Sequence, residues 1–346
     1  MTQGVAQSRL RRWWPWLGAL IGIAALAWLL RRLDLDRFGQ VLVESEIRLL
    51  LLVPLAIAAE QWVRAWKWRQ LLYPLRLVGT LPLFGAIMAG YLMGMLVPFG
   101  FSALARSWFV ARREGLTTSG VLATVALDRL TDGVVFACLV PVALVLVVFP
   151  DPTGGIRTGL TWGAAGSFLL FVLLLLVLAV YRREALRPDN FFARLAGRLP
   201  ARLAGPVQRV SVSFATGIVW PQEFWRGFGI VLASVVIKLI AATHLLWAGL
   251  ALGVALHLGQ YLFLMLFLGF VVILGHFLRI AGTFIVGAVF ALGLFGVPEE
   301  EALAMVLVVQ ASSVLTVAGI GALALWRQGV AFSELRAAGA SDGGRG

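Results

Sequence analysis

The sequence predicts an all-α polytopic integral membrane protein, and three observations carry that prediction. Of 346 residues, 60% are hydrophobic and only 13% are charged, against roughly 45–50% and about 25% in a soluble domain. Apolar runs long enough to cross a bilayer, roughly 17–25 residues, recur along the chain. Basic residues gather between those runs, and the formal net charge is +12, from 29 basic and 17 acidic residues. The same composition excludes intrinsic disorder. A basic balance of this size often marks nucleic-acid binding. Its placement between apolar runs points instead to the anionic cytoplasmic face of a bilayer. Cys138 stands alone in an apolar run, which excludes a disulfide framework and a thiolate metal site. His244, His257 and His276 lack metal-ligand spacing, so neither metal nor cofactor is expected.

The first apolar run is 14–30. Its Arg-rich start looks like a signal peptide, but no small-residue cleavage site precedes Arg31, so it reads as an uncleaved span. The second run begins at Leu49 and must extend past Glu60 to reach full length. The third, 81–111, is broken at Pro98-Phe99-Gly100. The fourth ends at Phe149 and is uncharged from Gly133; the fifth is 160–181 and the sixth 228–252. Two more flank a break at Arg279–Gly282, and the last covers 302–326. Runs this long are helices rather than barrel strands, which gives about eight spanning helices plus a Pro/Gly-broken hairpin. Trp13, Trp14, Trp66, Trp68, Trp220, Trp225 and Trp326 cluster at the ends of the runs, as an interfacial belt requires.

Arginine placement sets the orientation. The segment 182–226 holds eight Arg, two Glu and one Asp, and is expected in the cytoplasm. Arg194, Arg198 and Arg202 recur every four residues beside Leu195, Leu199 and Leu203. That pattern fits either a helix lying on the membrane surface, limited by Pro200 and Pro206, or a solvated basic loop. The sequence thus divides into a first helical half (1–181), a basic amphipathic connector (182–226) and a second half (227–346). Parity then places Arg112 and Arg113 inside. The loop with Arg64, Lys67, Arg69 and Arg76 also wants to be inside. Both can be so only if 81–111 enters and returns. Pro98 and Gly100 are the expected hinge of that helical hairpin, which reads as re-entrant. Both termini fall in the cytoplasm, and the membrane is expected to be the bacterial cytoplasmic one. The loop 31–48 then lies outside with four Arg and four acidic residues.

In the second half, VILGHFLRIAGTFIVGA breaks an apolar stretch at Arg279 and Gly282, its expected hinge. Two broken segments, one per half, point to a transporter built from two structural repeats, although no stretch of one half aligns with the other. Ordinary helical hairpins are the alternative.

An ionised side chain in mid-span costs about 2.5–3.5 kcal/mol, so each needs a partner or a wet cavity. Lys238 sits in the middle of the sixth run, too deep to snorkel well, and is expected to meet a carboxylate on another helix. Glu60 has Arg64 four residues on, and a local ion pair near the boundary would satisfy both. Asp128 and Asp132 share a helix face with Arg129 adjacent; the cluster is interfacial if the span starts at Gly133, and buried if Val121–Leu127 draw it inward. Arg106 is a candidate anion or phosphate ligand, or a topology-setting arginine.

The run GYLMGMLVPFGFSALARSWFVARREGLTTSGVLATVALDRLTDG resembles the membrane region of bacterial lysylphosphatidylglycerol synthases and their stand-alone flippase-like relatives. Pro98, Arg106, Arg112–Arg113, Arg129 and Asp132 match that family in order and spacing. VRAWKWRQLL is similar to its basic-aromatic end of the second span, and GLFGVPEEEALAMVLVVQASS to its last loop and span. Two departures stand out. Ala103 occupies a position where the family usually has an acid, and RIAGTFIVGAVF lacks the acid usual in the second hairpin. The resemblance implies lipid translocation or trafficking. It does not imply aminoacylation, because the longest polar segment, 182–226, is too short for a transferase core.

The expected function is that of a lipid flippase moving a polar-headed phospholipid, glycolipid or hopanoid between leaflets, and not an enzyme. Glu60, Arg64, Arg106, Asp128, Arg129, Asp132, Lys238 and Arg279 are the expected headgroup residues, lining a hydrated cavity. In that scheme Arg106 and Arg129 hold an anionic head, while Asp132 and Glu60 hold the arginines or a cationic head. Expected partners are membrane lipids, their anionic headgroups and lipid-synthesis enzymes, and no nucleic acid. The alternatives are an intramembrane enzyme using Asp128 and Asp132 on a lipid headgroup, and a structural subunit of a lipid-synthesis complex.

Overall fold

A computed structural model describes residues 31, 34–96, 101–148, 151, 153–187, 200–278 and 282–327. All regular structure among these residues is helical. The helices are α1 (Leu35–Val43), α2 (Ile47–Leu50), α3 (Leu52–Leu72), α4 (Thr80–Leu96), α5 (Phe101–Glu114) and α6 (Thr118–Leu146). They continue with α7 (Gly155–Ala185), α8 (Ala201–Gly217), α9 (Phe224–Ala251), α10 (Leu258–Leu278), α11 (Thr283–Gly293) and α12 (Glu299–Arg327). The run 14–30, the hinge residues Pro98 and Gly100, Arg279, Arg194 and Arg198 lie outside the described residues.

Six described segments are long and apolar enough to cross a bilayer: Ile47–Leu72, Thr118–Leu146, Gly155–Ala185, Phe224–Ala251, Leu258–Gly275 and Glu299–Arg327. The chain is therefore a multispanning helical membrane protein. The stretch after the second break is not a full span. Its helix α11 has 11 residues, about 16 Å at 1.5 Å per residue, roughly half a hydrocarbon core.

Both broken segments are helical hairpins. In the first, α4 and α5 pack along each other, and Arg76 beyond α3 meets Glu114 at the end of α5 across 4.0 Å. The limbs have 17 and 14 residues, about 26 and 21 Å at 1.5 Å per residue, each shorter than a hydrocarbon core of roughly 30 Å. The end of α5 is closed by Gly115 at φ 68°, with the Leu116 N–H donating to the Ala111 carbonyl at 2.9 Å. This left-handed cap satisfies a carbonyl that the helix itself cannot. In the second hairpin, Gly282 at φ 72° precedes α11, and Gly287 of α11 lies against Val271 of α10.

Basic residues close the C-terminal turns of α5 (Arg112, Arg113), α7 (Arg182, Arg183) and α12 (Arg327), and Glu299–Glu301 open α12. Each sign complements the local helix dipole. Helix α8 starts at the C-terminal end of the 194–203 pattern, most of which lies outside the described residues. Pro200 stands at its N-cap and Pro206 lies inside without ending it. Residues around Pro206 are exposed, so the freed carbonyl can be solvated. Tyr181 of α7 donates to the Ser211 carbonyl at 3.1 Å and fixes α8 against α7.

The chain forms two compact units, each made of discontinuous segments. One comprises Met1–Ile57, Phe136–Ser167 and Lys238–Ser312; the other comprises Ala58–Val135, Phe168–Ile237 and Ser313–Gly346. In the first, one apolar cluster centres on Tyr261, Leu264, Leu292 and Met305, and another on Phe136, Leu144, Phe263 and Leu266. In the second, Trp68, Leu71, Leu83, Ile87 and Phe109 are packed with Val121 and Ile230. Trp68 is thus a core residue rather than part of the interfacial belt. Trp66, Trp220, Trp225 and Trp326 are exposed as a belt requires.

Candidate functional site

The ionisable residues of the second unit converge. On α3, Glu60, Arg64 and Lys67 fall at i, i+4 and i+7, one helix face, and all three are buried. Because α3 runs on to Leu72, Arg64 and Lys67 lie within the helix and not in a cytoplasmic loop. On α6, Asp128 and Asp132 share the facing stripe, midway along a 29-residue helix. Helix α6 begins at Thr118, so the acids stand about 15–21 Å from its start at 1.5 Å per residue, and both are buried within the protein.

Arg64 donates to Glu60 at 2.9 Å and to Asp132 at 2.7 Å. Lys67 donates to Asp132 at 2.6 Å and to the Asp128 carbonyl at 3.0 Å, and lies 3.0 Å from the Asp128 carboxylate. From α5, Arg106 reaches Asp128 at 3.5 Å. Lys67, Arg106 and Asp128 are fully buried (0%). Three carboxylates and three cations therefore cancel. That balance is what allows them to remain ionised away from water: a buried charge is tolerated when paired and hydrogen-bonded, and is strongly destabilising when its partner is removed.

Local packing explains how Arg106 enters this position. A Cβ on Gly90 would lie 2.9 Å from the Arg106 Cβ, and one on Gly94 would lie 2.8 Å from the Ser102 Cβ. The two glycines, one turn apart on α4, let α5 approach closely enough for its arginine to reach α6. The Arg106 guanidinium lies 5.0 Å from the Trp68 ring centroid, a favourable cation–π placement. Trp68 is itself held by donation of its indole N–H to Thr124 at 2.9 Å. Even so, the Nε and Nη1 of Arg106 have no hydrogen-bond partner among the described residues.

Arg129 differs from its neighbours. It is exposed, and its Nη2 donates to the Tyr91 hydroxyl at 3.2 Å. Adjacent residues of α6 thus hold the two limbs of the first hairpin, Asp128 through Arg106 of α5 and Arg129 through Tyr91 of α4.

Of the residues singled out in the sequence, Glu60, Arg64, Arg106, Asp128 and Asp132 form this network and Arg129 borders it. They are packed on one another rather than spread along a cavity wall. Lys238 belongs to the other unit, half-buried, with its ammonium 5.7 Å from the Phe136 ring centroid. The carboxylates that the sequence offered to Lys238, Glu60 and Asp132, are met by Arg64 and Lys67. Lys67 and Tyr91 were not among the expected site residues. The i, i+4, i+7 spacing from Glu60 is a signal that identifies Lys67; Tyr91 in GYLMG carries none. Among the described residues, no group of His, Cys, Asp and Glu is arranged to hold a metal ion.

No curated protein and no solved structure gives a significant match to the chain. A family model described as the lysylphosphatidylglycerol synthase TM region matches residues 16–321. With nearly its whole length matched, the chain belongs to the lysylphosphatidylglycerol synthase transmembrane-region family.

Proposed function

We propose that this protein moves a polar-headed lipid between the leaflets of the bacterial cytoplasmic membrane. The observation that carries the reading is the ion-pair network set midway along the α6 span and tied to both limbs of a short helical hairpin. Ionisable groups at such depth are costly and mark pathways for polar cargo. Hairpins that do not span are the elements transporters use around such sites. Membership of the family supports a lipid-related role. Arg129 and Arg106 hold the headgroup, and the acyl chains stay in lipid.

Arginines at the ends of α5, α7 and α12 support cytoplasmic placement of those ends, and so of both termini. The proposed partners are membrane lipids and the enzymes that make them. Lipid chemistry is disfavoured as the activity, because the two candidate acids, Asp128 and Asp132, are both held by Lys67 and neither is presented as a general base. A role as a structural subunit draws on the same full pairing of the network. Reconstitution separates the two. Purified protein in liposomes carrying a fluorescent phospholipid in both leaflets is exposed to a membrane-impermeant quencher. Quenching beyond half of the label supports translocation, while quenching that stops at the outer leaflet supports the structural role.

A further inference from the structure

The charge count around the site defines which headgroups it takes, an inference that rests on the translocation reading above. Inside the spanning helices, away from their terminal turns, the described residues hold only three carboxylates, Glu60, Asp128 and Asp132. Each is already engaged by Arg64, Lys67 or Arg106 at 2.6–3.5 Å. No acid is left to receive an ammonium group. The cations are in surplus. Arg129 forms no ion pair among the described residues and has a neutral phenol, Tyr91, as its hydrogen-bond partner. Arg106 is fully buried with two guanidinium nitrogens unpartnered. Tyr91, which accepts from Arg129, follows Gly90, whose Cβ position lies 2.9 Å from the Arg106 Cβ, so the same turn of α4 meets both arginines. An exposed arginine about 16 Å along α6 at 1.5 Å per residue, with a second arginine next to it in the network that has spare donors, can receive an anion.

We propose that the site selects lipids whose headgroup carries net negative charge at a phosphodiester, and that it rejects cationic aminoacylated heads. The phosphate binds at Arg129 and Tyr91, with the Arg106 field beneath it. A headgroup ammonium would meet three arginines and one lysine, whose neutralising carboxylates are occupied. The selectivity is thus opposite to that needed for a lysylated lipid, although the family takes its description from the synthase of one.

The test uses the full chain in nonionic detergent, titrated calorimetrically with three short-chain lipids: phosphatidylglycerol, phosphatidylethanolamine and lysyl-phosphatidylglycerol. Glycerol phosphate serves as the free-phosphate control. Phosphatidylglycerol is expected to bind tightest, and the lysylated lipid roughly tenfold or more weaker, as expected for one charge-assisted hydrogen bond. Arg129→Gln, whose amide can still donate to Tyr91 and whose fold is checked by its unfolding midpoint, should abolish that preference. Tyr91→Phe should keep the preference, since the arginine remains. Competition by glycerol phosphate that depends on Arg129 supports the assignment to phosphate. Binding of glycerol phosphate without binding of the lipid overturns the lipid as its source. Equal or tighter binding of the lysylated lipid overturns the selectivity, as does an Arg129→Gln variant with unchanged order. The two readings fail separately. Selective binding without translocation refutes the transport function alone; translocation of both heads at one rate refutes the selectivity alone.

Discussion

Replacing Lys67 with Met removes one charge from the network and little volume. In the protein the ammonium makes three contacts within 3.0 Å, to Asp132, to the Asp128 carboxylate and to the Asp128 carbonyl. Without it, Asp128 keeps the 3.5 Å approach of Arg106, and Asp132 loses its 2.6 Å contact while keeping Arg64 at 2.7 Å. The balance shifts from three against three to two cations against three carboxylates, all shielded from water. Removing one partner of a buried pair costs about 3–5 kcal/mol. Methionine fills the space of the lysine stem, so little of that loss is a cavity effect. Neutralising Asp128 in the same chain restores the balance. Lys67→Met/Asp128→Asn should therefore be more stable than Lys67→Met, with a coupling energy of about 2 kcal/mol, inside the range for residues of one network. Tryptophan-fluorescence thermal unfolding in mild detergent, with monodispersity by size exclusion, reads the effect. A Lys67→Met midpoint equal to that of the unmodified chain, or a double variant no better than the single one, would refute the charge-balance reasoning.

Other predictions follow from the same contacts. Gly90→Ala places a methyl 2.9 Å from the Arg106 Cβ and 3.0 Å from the Ser102 carbonyl; it should cost about 1–3 kcal/mol by overpacking, read as a lower unfolding midpoint. Arg37→Ala removes an exposed 3.6 Å pair with Glu301 and should change stability by less than about 1 kcal/mol. Raising the salt concentration should weaken that surface pair and leave the Lys67 network unchanged, because buried pairs are little screened; a melting curve of the Lys67→Met variant at two ionic strengths checks this. Trp68→Phe removes the 2.9 Å bond to Thr124 and weakens the aromatic contact of Arg106; a loss of about 1–2 kcal/mol is expected in the same unfolding assay.

Much of the site was legible because charge is expensive in lipid. Glu60, Arg106, Asp128 and Asp132 each stood out as ionisable groups in or beside apolar runs, and the break at 98–100 required a hairpin before any contact was known. Lys67 was missed for an equally physical reason. WVRAWKWRQ alternates basic and aromatic residues, which is also the composition of an interfacial helix end, and composition cannot say where a helix stops. Continuing α3 to Leu72 turns the same residues inward, and Trp68 with them. Tyr91 was invisible because its role depends on a neighbour 38 residues away. The short α11 was overcounted as a span because hydropathy does not register the turn that closes it after Gly293. The pair of Glu60 with Arg64 was read from their spacing, whereas Asp132 was also offered to Lys238, though Arg64 and Lys67 occupy it.

The most direct test is transbilayer movement of fluorescent phosphatidylglycerol in liposomes holding the unmodified protein, Arg129→Gln, or no protein. The account predicts label accessible from both leaflets with the unmodified protein. It predicts movement reduced at least tenfold by Arg129→Gln, a loss comparable to that of one charge-assisted bond, in protein that remains folded and monodisperse. Label confined to its original leaflet with the unmodified protein, or an Arg129→Gln variant that moves lipid at the full rate, would contradict it.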